Sequence, residues 1–157
     1  MATESSQTDM SSDDVIQMGL LPDLIGFHLR CAQVAFFQHY NQNTESGDIS
    51  LPQFGALILI ESNPGISQSA IASTLRFDRS TLVQIIDRLE ARGFVKREVS
   101  AYDRRSHALK LTPEGETTLN DLKQSIQAHE DHITSVLSPG EKNQLLLLLS
   151  RLHQRST

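Results

Sequence analysis

The chain has one cysteine, no tryptophan, two tyrosines and five prolines in 157 residues. A lone Cys31 excludes an intrachain disulfide and fits a reducing compartment. Aromatic residues make up 5%, so a core must come from Leu, Ile, Val and Ala, as in many helical proteins. No apolar run approaches the roughly 18 residues of a membrane-spanning helix, and no membrane partner is expected. The opening segment MATESSQTDMSSDD lacks the basic and apolar stretches of a secretory signal, so the expected location is cytoplasmic. Its polar, acidic composition predicts a disordered tail over residues 1–14. Missing too are a Gly-rich phosphate loop, a nucleophile elbow and a metal triad. The chain therefore does not read as an enzyme; no catalytic residue, metal or cofactor is expected.

Basic charge is scarce overall and unevenly placed. Fourteen Lys/Arg stand against 19 Asp/Glu, for a net charge of −5. Residues 76–110 nevertheless hold nine Lys/Arg and only five Asp/Glu, a net +4, which leaves −9 on the rest. A basic island on an acidic protein is the electrostatic footprint expected for a polyanion partner.

Hydrophobic spacing predicts a mainly α chain with a small β-hairpin. Leu24, Phe27, Cys31, Val34 and Ala35 share one face of a first helix within residues 20–40. Ser50 caps a second, with Pro52 near its first turn and Asn63-Pro64-Gly65 after it. Phe54, Leu57, Ile58 and Leu59 supply its apolar face. Ser67 caps a short third helix. After a break over Arg76 to Arg79, Asp78 caps a fourth, whose stripe is Leu82, Ile85, Ile86 and Leu89. The opposite face holds Ser80, Gln84, Asp87, Arg88 and Ala91. Gly93 ends that helix, and the period changes to that of strands over 94–99 and 108–112, joined by a tip containing Asp103, Arg104 and Arg105. Thr112-Pro113-Glu114 opens a long helix reaching about Leu137, and Ser138 with Glu141 fits a capping box for the last. That last helix carries five consecutive leucines, Leu145–Leu149, which cover every face and need a partner surface.

Short helix, tight turn, amphipathic helix and hairpin make a winged helix-turn-helix within residues 51–112. An N-terminal helix and loop over 15–50 and C-terminal helices over 113–157 are left to dimerise it. The fourth helix suits the major groove of double-stranded DNA, where Ser80, Thr81 and Gln84 near its start would meet base edges. The bland alternative is that Ser80 and Thr81 only support the cap. Arg79, Arg88 and Lys96 would meet phosphate or form ion pairs, Arg88 with Asp87 or Glu90. The tip would reach the minor groove through Arg105, with Arg104 on phosphate; their bland reading is a solvated turn. The competing class is a winged-helix module that binds protein instead of DNA, which would have little use for an Arg-rich tip.

The run DRSTLVQIIDRLEARGFVKREVSAYDRRSHALKLTPEG resembles the recognition helix and wing of MarR-type transcriptional regulators. The residues that carry the likeness are Asp87-Arg88-Leu89-Glu90, Gly93, Asp103-Arg104-Arg105-Ser106 and Leu111-Thr112-Pro113-Glu114-Gly115; it extends over roughly residues 20–155. The resemblance implies a homodimer built on the first and last two helices, a palindromic operator, and a small effector whose binding releases a repressor. It also implies that Asp103 orients Arg105. Within the family, NPGISQSAIASTLRFDRSTLVQIIDRLE and LSPGEKNQLLLLLSRL are similar to a branch that responds to aromatic acids or their CoA thioesters. An effector pocket between the first, second and fifth helices would be lined by Phe27, His28, Arg30, Cys31, Phe54 and Ile58. Arg30, the only Lys/Arg in the first 75 residues, would be its carboxylate or phosphate partner.

Two readings favour the bland side. Some relatives sense peroxide through a first-helix cysteine, but that position falls near Gly26, more than a turn from Cys31, so Cys31 is expected to be a packed, inert thiol. His129 and His132, three apart with no third ligand nearby in sequence, are expected on a solvated helix face.

Overall fold

The computed structural model describes residues 16–43, 49–99 and 107–154. Among the described residues there are six α-helices: α1 (Ile25–Asn43), α2 (Leu51–Ser62), α3 (Gln68–Leu75), α4 (Arg79–Ala91), α5 (Pro113–Ile133) and α6 (Pro139–Gln154). Three strands, β1 (Ile66–Ser67), β2 (Val95–Val99) and β3 (His107–Leu111), form a small sheet. The protein is thus mainly α with a winged helix-turn-helix. Its described residues separate into two compact units, the first ending at Gln38 and the second beginning at His39.

Helix starts follow the polar residues that precede each apolar run. At α2 the Ser50 N–H donates to Gln53 Oε1 at 2.8 Å while the Gln53 N–H donates back to Ser50 Oγ at 3.5 Å. Ser67 Oγ accepts from the Ala70 N–H at 3.2 Å, and Thr112 Oγ1 from the Gly115 N–H at 3.0 Å. Ser138 and Glu141 complete a capping box at α6. Each cap satisfies donors that a helix start leaves open.

The core of the second unit lies between α2, α3, α4, the sheet and the start of α5. Leu57, Ile60, Ile71, Leu82, Ile86, Leu89, Val95, Leu109, Leu119 and Leu122 are all but fully buried. Burying a Leu or Ile side chain is worth about 1.5–3 kcal/mol, so the Leu82–Leu89 stripe holds α4 firmly to this core. The face of α2 differs from the expected one. Leu57 is buried, but Ala56, Ile60 and Gln53 are its buried companions, and Phe54, Ile58 and Leu59 are half-buried at the edge of the cluster.

The expected hairpin is part of a three-stranded antiparallel sheet in the order β1-β3-β2. The β2–β3 register pairs Lys96 with Lys110 and Arg97 with Leu109, and Ile66 of β1 also pairs with Leu109. A two-residue strand has no periodicity to read, which is why β1 escapes the sequence. The break between α3 and α4 is Arg76–Asp78, one residue shorter than expected, and α5 ends at Ile133 with a 3-10 turn over Thr134–Val136.

Two side-chain expectations are corrected. His129 is 6% exposed and does not lie on a solvated face. Its Nδ1 shares a hydrogen bond of 2.6 Å with His39 Nδ1, and the His39 ring stacks on both His129 and His132, with centroids 4.8 and 4.3 Å apart. The end of α1 supplies His39, a contact that spacing along α5 could not reveal. Cys31, expected to be packed, is exposed, as is most of α1 within the first unit. Leu24, Ile25, Leu29, Val34 and Phe37 are exposed on or beside it.

Candidate nucleic-acid interface

Helix α4 is set by its first residue boundary. Asp78 Oδ1 accepts from the Thr81 N–H at 2.8 Å and the Ser80 hydroxyl at 2.5 Å; its Oδ2 accepts from the Thr81 hydroxyl at 2.6 Å. These bonds hold its carboxyl well below the usual carboxylate range, the Ser80 and Thr81 hydroxyls contributing most. A permanent carboxylate there complements the helix dipole. It also engages the hydrogens of both hydroxyls. Their oxygens are left as acceptors, suited to the amino groups of adenine or cytosine. Ser80 and Thr81 therefore do support the cap, and the same bonds orient their oxygens outward as acceptors.

The face opposite the buried stripe is as expected: Ser80, Gln84, Asp87, Arg88 and Ala91 are exposed. Arg79 is exposed at the first turn. Among the described residues neither Arg79 nor Arg88 forms an ion pair, which leaves both guanidiniums for an anion.

Arg97, not Arg88, neutralises the two acids of α4. Its Nη2 bonds Asp87 Oδ1 at 2.6 Å and its Nη1 bonds Glu90 Oε2. With the Gln68 amide oriented to match, its oxygen accepts from Arg97 Nη2 at 2.8 Å and Nε at 3.1 Å. Arg88 points outward on the helix, whereas Arg97 faces α4 from the inner side of β2. One guanidinium thus joins α3, α4 and β2 and keeps two carboxylates from repelling a polyanion.

On the outer face of the sheet, Glu98 bridges Lys110 at 2.7 Å and Lys96 at 2.9 Å. Hydrogen bonds from Lys110 and then Lys96 lower its carboxyl to about 2. Lys110 was not singled out by the sequence; it stands beside Lys96 only because of the strand register. Asp103, Arg104 and Arg105 lie outside the described residues.

Two glycines stand where the end of α4, the start of β2 and the first turn of α5 meet. Gly93 has φ +77°, and a Cβ on Gly115 would lie 2.0 Å from the Phe94 carbonyl oxygen. Thr112 Oγ1 donates to the Gly93 carbonyl at 2.6 Å. The Arg92 guanidinium lies 4.7 Å from the Phe94 ring centre.

The expected effector residues divide between the units. In the first, His28 Nε2 donates to the Pro22 carbonyl at 2.7 Å and its ring meets Phe27 edge-on; Arg30 and Cys31 are exposed. In the second, Phe54 and Ile58 of α2 pack at the edge of the core.

Residues 47–106 match the MarR family. A putative transcriptional regulatory protein for the hcr operon of Thauera aromatica is 34% identical over 140 residues, spanning 88% of this chain and 84% of that protein. The transcriptional repressor CouR bound to a 23-mer DNA duplex superposes with a TM-score of 0.83 at 36% identity, over 88% of this chain and 98% of that one. CouR bound to p-coumaroyl-CoA superposes with a TM-score of 0.80 at 34% identity, over 88% and 97%.

Proposed function

The chain belongs to the MarR family of winged-helix transcriptional regulators, and from that premise we propose that it is a homodimeric repressor. It binds a palindromic operator and is released by a small aromatic acid or its CoA thioester. The observation that carries the DNA reading is the outer face of α4, capped by Asp78 and bearing exposed Ser80, Gln84 and Arg88. Gln84 pairs with a base, Ser80 and Thr81 accept from amino groups, and Arg79, Arg88 and Lys96 meet phosphate. Arg105 is assigned to the minor groove and Arg104 to phosphate. Apolar side chains exposed on α1 and along α6 support a second copy as partner.

The effector reading rests on the 34% identity with CouR, which has been solved with p-coumaroyl-CoA. Arg30 is assigned to the effector's carboxylate or phosphate, with Phe27, His28 and Cys31 of the same helix toward its apolar part.

Two measurements test this. Operator affinity should fall steeply with salt, the log–log slope being near −0.9 per phosphate contacted; a slope near zero would indicate a protein-binding module instead. In a thermal-shift screen, aromatic acids or aromatic CoA thioesters should raise the melting point, since ligands that favour the native state stabilise it. An Arg30→Ala variant should lose that rise; equal shifts in both proteins would remove Arg30 from the site.

A further inference from the structure

Arg76, in the turn of the helix-turn-helix, has φ 56° and ψ 37°. It is the only residue other than glycine with positive φ among the described residues. A left-handed backbone crowds a Cβ, so glycine is the usual occupant just after a helix. An arginine there calls for a reason in its side chain. Its Nη2 donates to the His153 carbonyl at 2.6 Å, 77 residues along the chain. His153 lies in the last turn of α6, where carbonyls lack intrahelical partners and the helix dipole is negative. No residue of α6 is buried, so packing does little to hold this end, and a charge-assisted hydrogen bond matters correspondingly more. The backbone N–H of the same Arg76 closes α3 through Ala72 and Ser73, and α4 begins three residues later.

We propose that Arg76 is a positioning residue that clasps the C-terminal end of α6 to the helix-turn-helix. It thereby sets where α4 stands relative to the dimerisation helices and which half-site spacing the protein accepts. This rests on the reading of the chain as a DNA-binding dimer. The competing role for an exposed arginine in this turn is a direct phosphate contact, and salt separates the two. A lost phosphate contact makes the log–log salt slope shallower by about one, whereas a lost clasp leaves the slope alone.

The experiment uses the full chain and duplexes selected from a random pool by the wild-type protein, then remade with half-sites one base pair closer or farther apart. Arg76→Gly suits the backbone and removes the clasp. Its affinity for the best-spaced duplex should fall roughly fivefold or more, its discrimination between spacings should shrink, and its salt slope should match wild type. Arg76→Lys should recover part of both, because an ammonium can still donate to the carbonyl. A chain ending at Leu152 lacks the acceptor and should show the same loss, with no further loss when combined with Arg76→Gly. If Arg76→Gly does not fold, that shortened chain reads the same contact from the other side. Wild-type affinity and spacing preference in Arg76→Gly, additive losses, or a shallower slope would each overturn the proposal. Failure of the wild type to select any duplex would instead overturn the DNA-binding reading itself.

Discussion

Gly115 sits where a methyl group has no room. A Cβ there would meet the Phe94 carbonyl oxygen at 2.0 Å and its carbon at 2.9 Å, both backbone atoms. Gly115→Ala should therefore destabilise the protein by about 1–3 kcal/mol or more, read as a lower midpoint in urea. An unchanged midpoint would mean that the start of α5 shifts freely away from the wing. Gln84 makes the opposite kind of prediction, about recognition rather than stability. Its side chain is exposed and its amide can bond adenine at two points. Gln84→Ala should cost about 1–3 kcal/mol against the preferred base at one position per half-site. Binding measured on duplexes varied at each position would show this; equal loss on every sequence would leave Gln84 a backbone or folding role.

At the scale of elements, three imidazoles join the end of α1 to α5. Burial pushes the His129 imidazole below its ordinary value, and the neighbouring His39 and His132 push it further. In the unfolded chain His129 takes up a proton near pH ~6.5. Between that value and the lower folded one, the unfolded state binds more protons, so stability rises with pH in that window. It is complete above the unfolded value and falls as pH drops toward the folded one. Melting points of wild type should drop between pH 7.5 and 5 more steeply than those of His129→Phe, which keeps an aromatic ring beside His39 and Tyr40 without a titrating group. Parallel curves would assign the acid sensitivity elsewhere.

At the scale of the molecule, the informative element is the one that buries nothing. Leu145, Leu146, Leu147 and Leu148 of α6 are 44–59% exposed, an apolar patch that a lone chain in water does not keep without cost. Removing residues 138–157 should abolish dimerisation and DNA binding together. Sedimentation of the shortened chain as a dimer that still binds operator would show that α6 is dispensable and that the leucines serve another purpose.

Much of the fold was legible because it rests on local rules. Ser50, Ser67, Asp78, Thr112 and Ser138 announce helix starts through bonds to residues three positions on, and the Leu82–Leu89 spacing defines both faces of α4. The outward set Ser80, Gln84 and Arg88 follows from that spacing alone. What escaped depends on residues distant in the chain. β1 exists only because Leu109 offers it a ladder partner. Arg97 reaches Asp87 and Glu90 only across the β2–α4 contact, and Lys110 joins Lys96 only through strand register. His129 is met by His39 and Tyr40 from another helix, and the Arg76 guanidinium finds the His153 carbonyl only at the far end of α6. Periodicity and capping are encoded within a few residues, so sequence determined the elements and their faces. Which side chains meet across elements depends on packing the whole chain, and only the tertiary structure decided it.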